Sequence, residues 1–306
     1  MPGGPPELYE VRDDRFRTGK CTVGDSKLET LYEGTRWAEG PVYFPAGRYL
    51  VWSDIPNDRL LRWDETTGTV GVFRSPAGHP NGNTVDAQGR LVTCEHSGRR
   101  ISRTEHDGSV TLVVDSYRGR RLNSPNDAVV AGDGAVWFTD ASYGIGSDYE
   151  GRRAEQELDG CYLFRADPAT GSCEIVADGF LRPTGIAFSP GGTRLYVADS
   201  RANTIRVFEV TDDGSRLSGG HLLATGTAPS LDSMAVDTDG RIWIACSDGV
   251  RCYEPEEGVH LGTIRTPDAA ANVTFGGPRR NVLYVCATTT LYSIMLAVNG
   301  LGGAVG

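Results

Sequence analysis

The stretch Met234-Ala235-Val236-Asp237-Thr238-Asp239-Gly240-Arg241-Ile242-Trp243-Ile244 sets two short apolar, β-rich runs on either side of an Asp-Gly step. A tight hairpin needs positive φ in its turn, and glycine supplies it without a steric penalty. The stretch therefore predicts two antiparallel strands. Asp237-x-Asp239-Gly240 also looks like a fragment of a calcium-binding loop, but a hairpin turn explains it better. The same unit recurs five times. Pro41-Val42-Tyr43-Phe44 precedes Tyr49-Leu50-Val51-Trp52, and Thr84-Val85-Asp86 leads through Gln88-Gly89 to Arg90-Leu91-Val92-Thr93. Ala128-Val129-Val130 leads through Asp133-Gly134 to Ala135-Val136-Trp137-Phe138, and Ile186-Ala187-Phe188 leads through Gly191-Gly192 to Arg194-Leu195-Tyr196-Val197. Val273-Thr274-Phe275 leads through Gly276-Gly277 to Val282-Leu283-Tyr284-Val285.

The residues that open these units are Gly40, Gly82, Asp127, Gly185, Ser233 and Val273, spaced by 42, 45, 58, 48 and 40 residues. Four short strands in about 40–50 residues is propeller-blade spacing, and no stretch sustains a 3.6-residue helical period. Length alone allows two domains, but the repeat makes one all-β, six-bladed β-propeller. Leu28-Glu29-Thr30-Leu31-Tyr32 precedes the first unit, and the last unit runs out near Leu291-Tyr292-Ser293-Ile294. The early strand is therefore expected to complete the last blade. That assigns residues 1–27 to an N-terminal extension and 28–306 to the propeller. The third unit carries an excess from Ala141 to Asp159, polar and charged, which is either a solvated loop or a lid over one mouth of the tunnel.

The chain has 306 residues, 39% hydrophobic and 23% charged, with a net charge of −10. This is a globular composition with enough apolar residues for a large core. The acidic balance argues against a general nucleic-acid binder and against anionic membrane surfaces. No apolar run nears the ~18 residues of a bilayer span. Met1-Pro2-Gly3-Gly4-Pro5-Pro6-Glu7 has neither a basic start nor an apolar core, so a cytoplasmic chain is expected, although a trimmed periplasmic one looks the same. Seven cysteines without a Cys-x-x-Cys give neither a full disulfide framework nor a thiolate zinc site. Cys94, Cys246 and Cys286 share one phase at the ends of second strands, a packing position for small side chains.

The residues just before the opening positions are Glu39, Asn81, Asn126, Thr184, Asp232 and Asn272. In a propeller the first strand of each blade is innermost, so equal phase means equal radius and height. Six side chains, all bearing oxygen and two of them carboxylates, should converge on the axis at one end of the tunnel. A preference for polar residues at strand starts accounts for one or two of them, and a hydrated tunnel is a second ordinary reading. Two buried carboxylates side by side, however, repel and take up protons unless a cation compensates. An oxygen-only set suits Ca²⁺, and Mg²⁺ less well. No Gly-x-Ser-x-Gly, P-loop or His-Glu-x-x-His motif occurs. His79 and His96 are candidate bases, with surface or hydrogen-bonded roles as the alternative.

Together with Trp37-Ala38-Glu39-Gly40-Pro41-Val42, Asn123-Ser124-Pro125-Asn126-Asp127, Phe138-Thr139-Asp140, Leu195-Tyr196-Val197-Ala198-Asp199, Asp237-x-x-Gly240-Arg241-Ile242-Trp243-Ile244-Ala245 and Asn272-Val273-Thr274-Phe275-Gly276-Gly277, the chain resembles the senescence-marker-protein/gluconolactonase/regucalcin family of six-bladed propellers. The resemblance implies a divalent-metal lactonase acting on aldonolactones. Calcium is the expected ion, with Mg²⁺, Mn²⁺ or Zn²⁺ as alternatives. It also implies metal ligands at Glu39, Asp232 and Thr184, with Asn126 close to metal and substrate. Two departures stand out. The family's Pro-Asn-Gly is Pro183-Thr184-Gly185 here, and its Pro-Asp-Gly is Leu231-Asp232-Ser233.

The mechanism expected is water attack on a lactone carbonyl polarised by the ion, with Asp232 as ligand and general base and Asn126 beside it. Asn81, Asn126, Asn272, Arg121 and Tyr143 are candidate contacts to a small-molecule lactone. Arg120 and Arg121 can equally be surface charge. Two other readings stay open. One is an organophosphate hydrolase resembling diisopropyl fluorophosphatase, with Asp232 as nucleophile. The other is a non-catalytic binding propeller with a structural ion.

Overall fold

The computed structural model describes residues 8–302 apart from 20, 213, 228 and 229; residues 1–7, read above for a leader, lie outside the described residues. Six antiparallel sheets follow one another along the chain, each starting from an inner strand. The inner strands are Ala38–Phe44, Pro80–Val85, Ser124–Val130, Pro183–Phe188, Met234–Val236 and Ala270–Gly276. Each inner strand packs against the next, and the sixth returns to the first. This is the six-bladed propeller expected from the repeat.

The ring closes as the hydrophobic pattern indicated. Glu29–Glu33 pairs antiparallel with Thr290–Met295, so the last blade takes one strand from the start of the chain and three from its end. The preceding segment also packs on the ring. Tyr9–Val11 adds a fifth strand to the fifth blade beside His260–Ile264. A single helical turn, Arg15–Thr18, then buries Phe16 completely, with its ring 6.0 Å from that of Trp243.

The blades pack large against small. Trp137, Tyr196, Trp243 and Tyr284 hold one position on their second strands, opposite Val129, Ala187, Ala235 and Thr274. All four aromatics are essentially fully buried, and such large side chains dominate core energetics. The turn at Asp237 is a hairpin: its carboxylate accepts from the Asp239 and Arg241 amides and from Trp243 Nε1, and Gly240 has φ +87°. Among the described residues no helix is long and apolar enough to cross a membrane.

Candidate active site

The ring residues owe their direction to a repeated irregularity. Five of the six inner strands break register with their neighbours at the ring, between Glu39 and Val42, Pro80 and Asn83, Pro125 and Ala128, Pro183 and Ile186, and Ala270 and Asn272. A bulge bends a strand and re-aims its side chains, and proline is tolerated there because no ladder N–H is needed. In the fifth blade Asp232 precedes the strand and is held by its own N–H on the Ala245 carbonyl (2.9 Å).

The small residues at the opening positions now have a cause. Gly40 has φ +50°, and a Cβ there would collide with the Asn81 carbonyl of the next blade. A Cβ on Gly82 would strike Asp127, and one on Gly185 would stand 2.6 Å from the Asp232 carbonyl oxygen. These glycines let successive ring residues approach one another around the axis.

Second strands brace the ring from behind. Ser53 Oγ donates to the Asn81 carbonyl (2.6 Å), and Thr139 Oγ1 donates to the Thr184 carbonyl (2.6 Å). Cys286 Sγ makes a longer contact with the Glu39 carbonyl (3.7 Å), so this cysteine does more than fill space. Asp54 accepts from the Arg36 amide, Asp140 from Asn123, and Asp199 from Leu181 and Arg182. Each of these carboxylates fixes the backbone two or three residues ahead of a ring residue. The sequence reading quoted Asp140 and Asp199 only as motif members and gave Asp54 no part; their common phase at the end of the second strand was the signal available.

At the ring itself, Glu39 is 4% exposed and accepts from Gly40 N and Asn272 Nδ2, both at 3.0 Å. Burial raises its pKa to about 8, the Asn272 bond opposes this, and the Asp127 charge adds to it. Asp232 is surrounded by protein but keeps partial solvent exposure. Burial, then the Glu39, Glu150 and Asp127 charges, push its pKa well up. Asp127 itself is raised to about 7 by burial, against the pull of the Ala128 amide. Thr184 is 2% exposed beside Asp232, whose charged form its hydroxyl favours, but no well-aligned hydrogen bond to its Oγ1 is formed among the described residues; the buried Asn81 Oδ1 likewise lacks one. Asn126 is 5% exposed, with its carbonyl oxygen 2.6 Å from where a Cβ on Gly82 would stand. Of the expected set, Glu39, Asn272, Asp232 and Thr184 are thus brought together.

Among the described residues no three His, Cys, Asp or Glu side chains gather closely enough to hold an ion by themselves. The candidate donors are instead two carboxylates with amide and hydroxyl oxygens. Two uncompensated ring carboxylates and the orphaned Thr184 oxygen are what a hard divalent cation would satisfy, so the residues present fit one.

The insertion roofs this end of the tunnel. Gly144 N donates to Ser124 Oγ, Tyr143 Oη bonds Ser200 Oγ (2.6 Å), and Tyr149 Oη donates to the Arg36 carbonyl (3.3 Å). The loop therefore reaches from the third blade to the first and fourth. His96 is fully buried, and burial lowers its pKa to about 4. Its Nε2 accepts from Asn81 Nδ2 (2.9 Å), which leaves Nδ1–H to donate to the Glu150 carbonyl (2.8 Å). His96 is thus a neutral strut between ring and roof, with no free nitrogen to act as a base. Tyr143 spends its hydroxyl on Ser200 and lies under the Arg182 guanidinium (4.7 Å). Arg121 is exposed, with its guanidinium on the Gly98 carbonyl. Beyond the ring, in the direction the inner strands run, the axis widens into a cavity of about 1140 Å³ lined by residues such as Val42, Val130, Phe188, Val236 and Phe275. Asn83, Asp86, His106, Asp127, Asn272 and Arg280 line it too, so polar groups reach this side of the ring as well.

Residues 37–289 match the family described as SMP-30/Gluconolactonase/LRE-like region. The chain belongs to that family. It is 28% identical to a gluconolactonase of Zymomonas mobilis, over 85% of this chain and 79% of that one. It is 30% identical to the pentonolactonase XacC of Haloferax volcanii, over 82% and 81%. A solved gluconolactonase from Xanthomonas campestris is 36% identical, with a TM-score of 0.89 and coverage of 97% of this chain and 99% of that one. The propeller read from the repeats and the family resemblance read from the motifs are both borne out.

Proposed function

We propose that this lactonase opens a hydroxylated, sugar-type lactone at the roofed end of its tunnel. Glu39, Asp232 and Thr184 would hold a divalent cation, with Asn126 beside them, and the oxygen-only donor set suits calcium. The reading rests on one observation: Glu39 and Asp232, far apart in the chain, share one site in which the Glu39 charge raises the proton affinity of Asp232. Asn81 and Thr184 bring unsatisfied oxygens to the same ring.

A bound divalent cation supplies positive charge to stabilise the oxyanion formed as a lactone carbonyl is attacked. Asp232, the ring carboxylate that solvent reaches, takes a proton from the attacking water. Its neighbouring carboxylates make it a stronger base and a bound cation makes it a weaker one, so the two effects oppose. A lactone is an activated ester, for which a moderate base suffices. Glu39 is held by the Gly40 N–H and by Asn272 Nδ2. The Asn81 amide is oriented by His96, which turns its free Oδ1 to accept from a substrate hydroxyl. Access of solvent to Asp232 favours this reading over a sealed structural ion.

The test is Asp232→Asn, assayed by pH-stat on a lactone panel with Ca²⁺, Mn²⁺ and Zn²⁺. Loss of a general base lowers kcat by about 10²–10⁴-fold. Wild-type turnover in the variant removes Asp232 from the mechanism.

A further inference from the structure

All seven cysteines are free thiols. Three of them spend their sulfur on oxygen: Cys173 donates to the Ser116 carbonyl (3.4 Å), Cys246 to Asp248 Oδ1 (2.9 Å), and Cys286 to the Glu39 carbonyl (3.7 Å). Cys21 and Cys252 instead bond to each other. Residues directly opposite in an antiparallel pair share a face. Cys252 lies opposite Trp243 on one neighbouring strand and opposite Gly262 on the other, so all three belong to one face of the fifth blade. The N-terminal segment covers that face. The Phe16 ring stands 6.0 Å from Trp243, and a Cβ on Gly262 would strike it at 2.7 Å. Cys21 is drawn in by its N–H on the Phe16 carbonyl (3.3 Å), and Thr22 then bridges to Leu296 at the end of the sixth blade. Both cysteines are completely buried, in one apolar cluster that joins the fifth and sixth blades.

The two thiols are chemically unequal. The Cys252 thiol donates to Cys21 and draws its pKa below the ordinary thiol value, against the effect of burial, and the Arg241 guanidinium adds to the lowering. Burial pushes the Cys252 thiol up. Arg241 is anchored on Asp237 (2.8 Å), and its Nη1 would stand 3.2 Å from a Cβ on Gly19. The thiolate is the nucleophile in disulfide chemistry, and a thiol in contact with it is the resolving partner. Among the described residues no third His, Cys, Asp or Glu joins the pair to make an ion site.

We propose that Cys21 and Cys252 are a disulfide-forming pair, a covalent clasp that fastens the N-terminal segment across the fifth blade. The oxidant is a low-molecular-weight disulfide. The Cys21 thiolate attacks one of its sulfurs, forms a mixed disulfide and expels one thiolate. Cys252 gives up its proton, attacks Cys21 Sγ and expels the second thiolate. The two cysteines lose two electrons and two protons, and the small disulfide leaves as two thiols. The pair is reached when the segment lifts. Tyr9–Val11 is three residues on a sheet edge and Arg15–Thr18 is a single turn, and short peripheral elements of this kind open locally at low cost. Four blades lie between the two cysteines in the chain, so the bond closes a long loop and constrains the unfolded state.

The test incubates the full chain in glutathione buffers from fully reduced to fully oxidised, with and without urea below the unfolding midpoint, so that burial cannot hide the thiols. Remaining thiols are alkylated under denaturing conditions, and trypsin then releases 21–27 and 252–265 as peptides with one cysteine each. The expected result by mass spectrometry is these two peptides joined. The oxidised protein should melt about 5 °C above the reduced one, and dithiothreitol should reverse the rise. Cys21→Ser and Cys252→Ser should show no such rise; the peptide readout is made on wild type and does not depend on either variant folding. Both peptides alkylated after full oxidation in urea overturns the proposal. So does a glutathione adduct that stays on either cysteine, or either one joined to another of the seven. Joined peptides with an unchanged Tm overturn the clasp.

Discussion

Replacing Glu39 by Gln tests whether the ring is built for a cation. In chelator, Glu39 has a pKa of about 8 against an ordinary value of 4.5, because burial penalises its charged form. The folded chain then binds a proton that the unfolded chain releases. Stability from this group is full below pH 4.5 and is lost as pH rises through about 8. At pH 7 the difference is worth about 3 kcal/mol. Glutamine cannot titrate, so Glu39→Gln escapes this penalty. It keeps one side-chain oxygen for the Gly40 and Asn272 donors, as the protonated Glu39 does, but its amide N–H groups lack an acceptor in the buried ring, which costs roughly 1 kcal/mol. The net expectation is a gain of about 2 kcal/mol in chelator at pH 7–8, seen as a rise of about 3 °C in Tm. Calcium reverses the order. At 100 times its Kd an ion adds about 2.7 kcal/mol to wild type, and the variant, short of one carboxylate, gains much less. The assay is thermal unfolding of both proteins at pH 5, 7 and 8, in EGTA and in millimolar calcium. A variant that is less stable than wild type in EGTA at pH 8 and gains as much from calcium would refute the reasoning.

Other substitutions probe separate parts of the account. Thr184→Asn supplies an amide oxygen where the buried Oγ1 has no partner, and calcium affinity measured by calorimetry should tighten on the order of tenfold, about 1.4 kcal/mol. Phe16→Ala empties a site that is 0% exposed against Trp243, and denaturant unfolding should report a loss of about 3–5 kcal/mol; a loss below ~1 kcal/mol would show that the N-terminal segment does not share the core.

The fold was legible because a blade repeats its hairpin, and a glycine between apolar runs, most often in Asp-Gly or Gly-Gly, marks each turn. The ring was legible from phase alone, because equal phase in a propeller is equal position. The aim of its side chains was not. It depends on bulges at Glu39, Asn126 and Thr184, which appear only once strands are paired. Pro41, Pro125 and Pro183 hinted at them without specifying the register. Gly40, Gly82 and Gly185 read as small residues, but the reason is contact with the next blade, which lies about 40–60 residues away in the chain. The roof was the hardest part. An insertion breaks the repeat and so carries no phase, and nothing in the sequence around Glu150 or His96 announced that the two meet. Arg121 and Tyr143 were picked out from the same region, and both spend their polar groups on protein partners.

The most direct measurement follows calcium occupancy and lactone turnover together, as calcium is added to protein stripped by EGTA. The account predicts no catalysed turnover in the stripped protein, one ion bound per chain, and a rate that rises in proportion to occupancy. Full turnover in protein that elemental analysis shows to be free of divalent metal would contradict it.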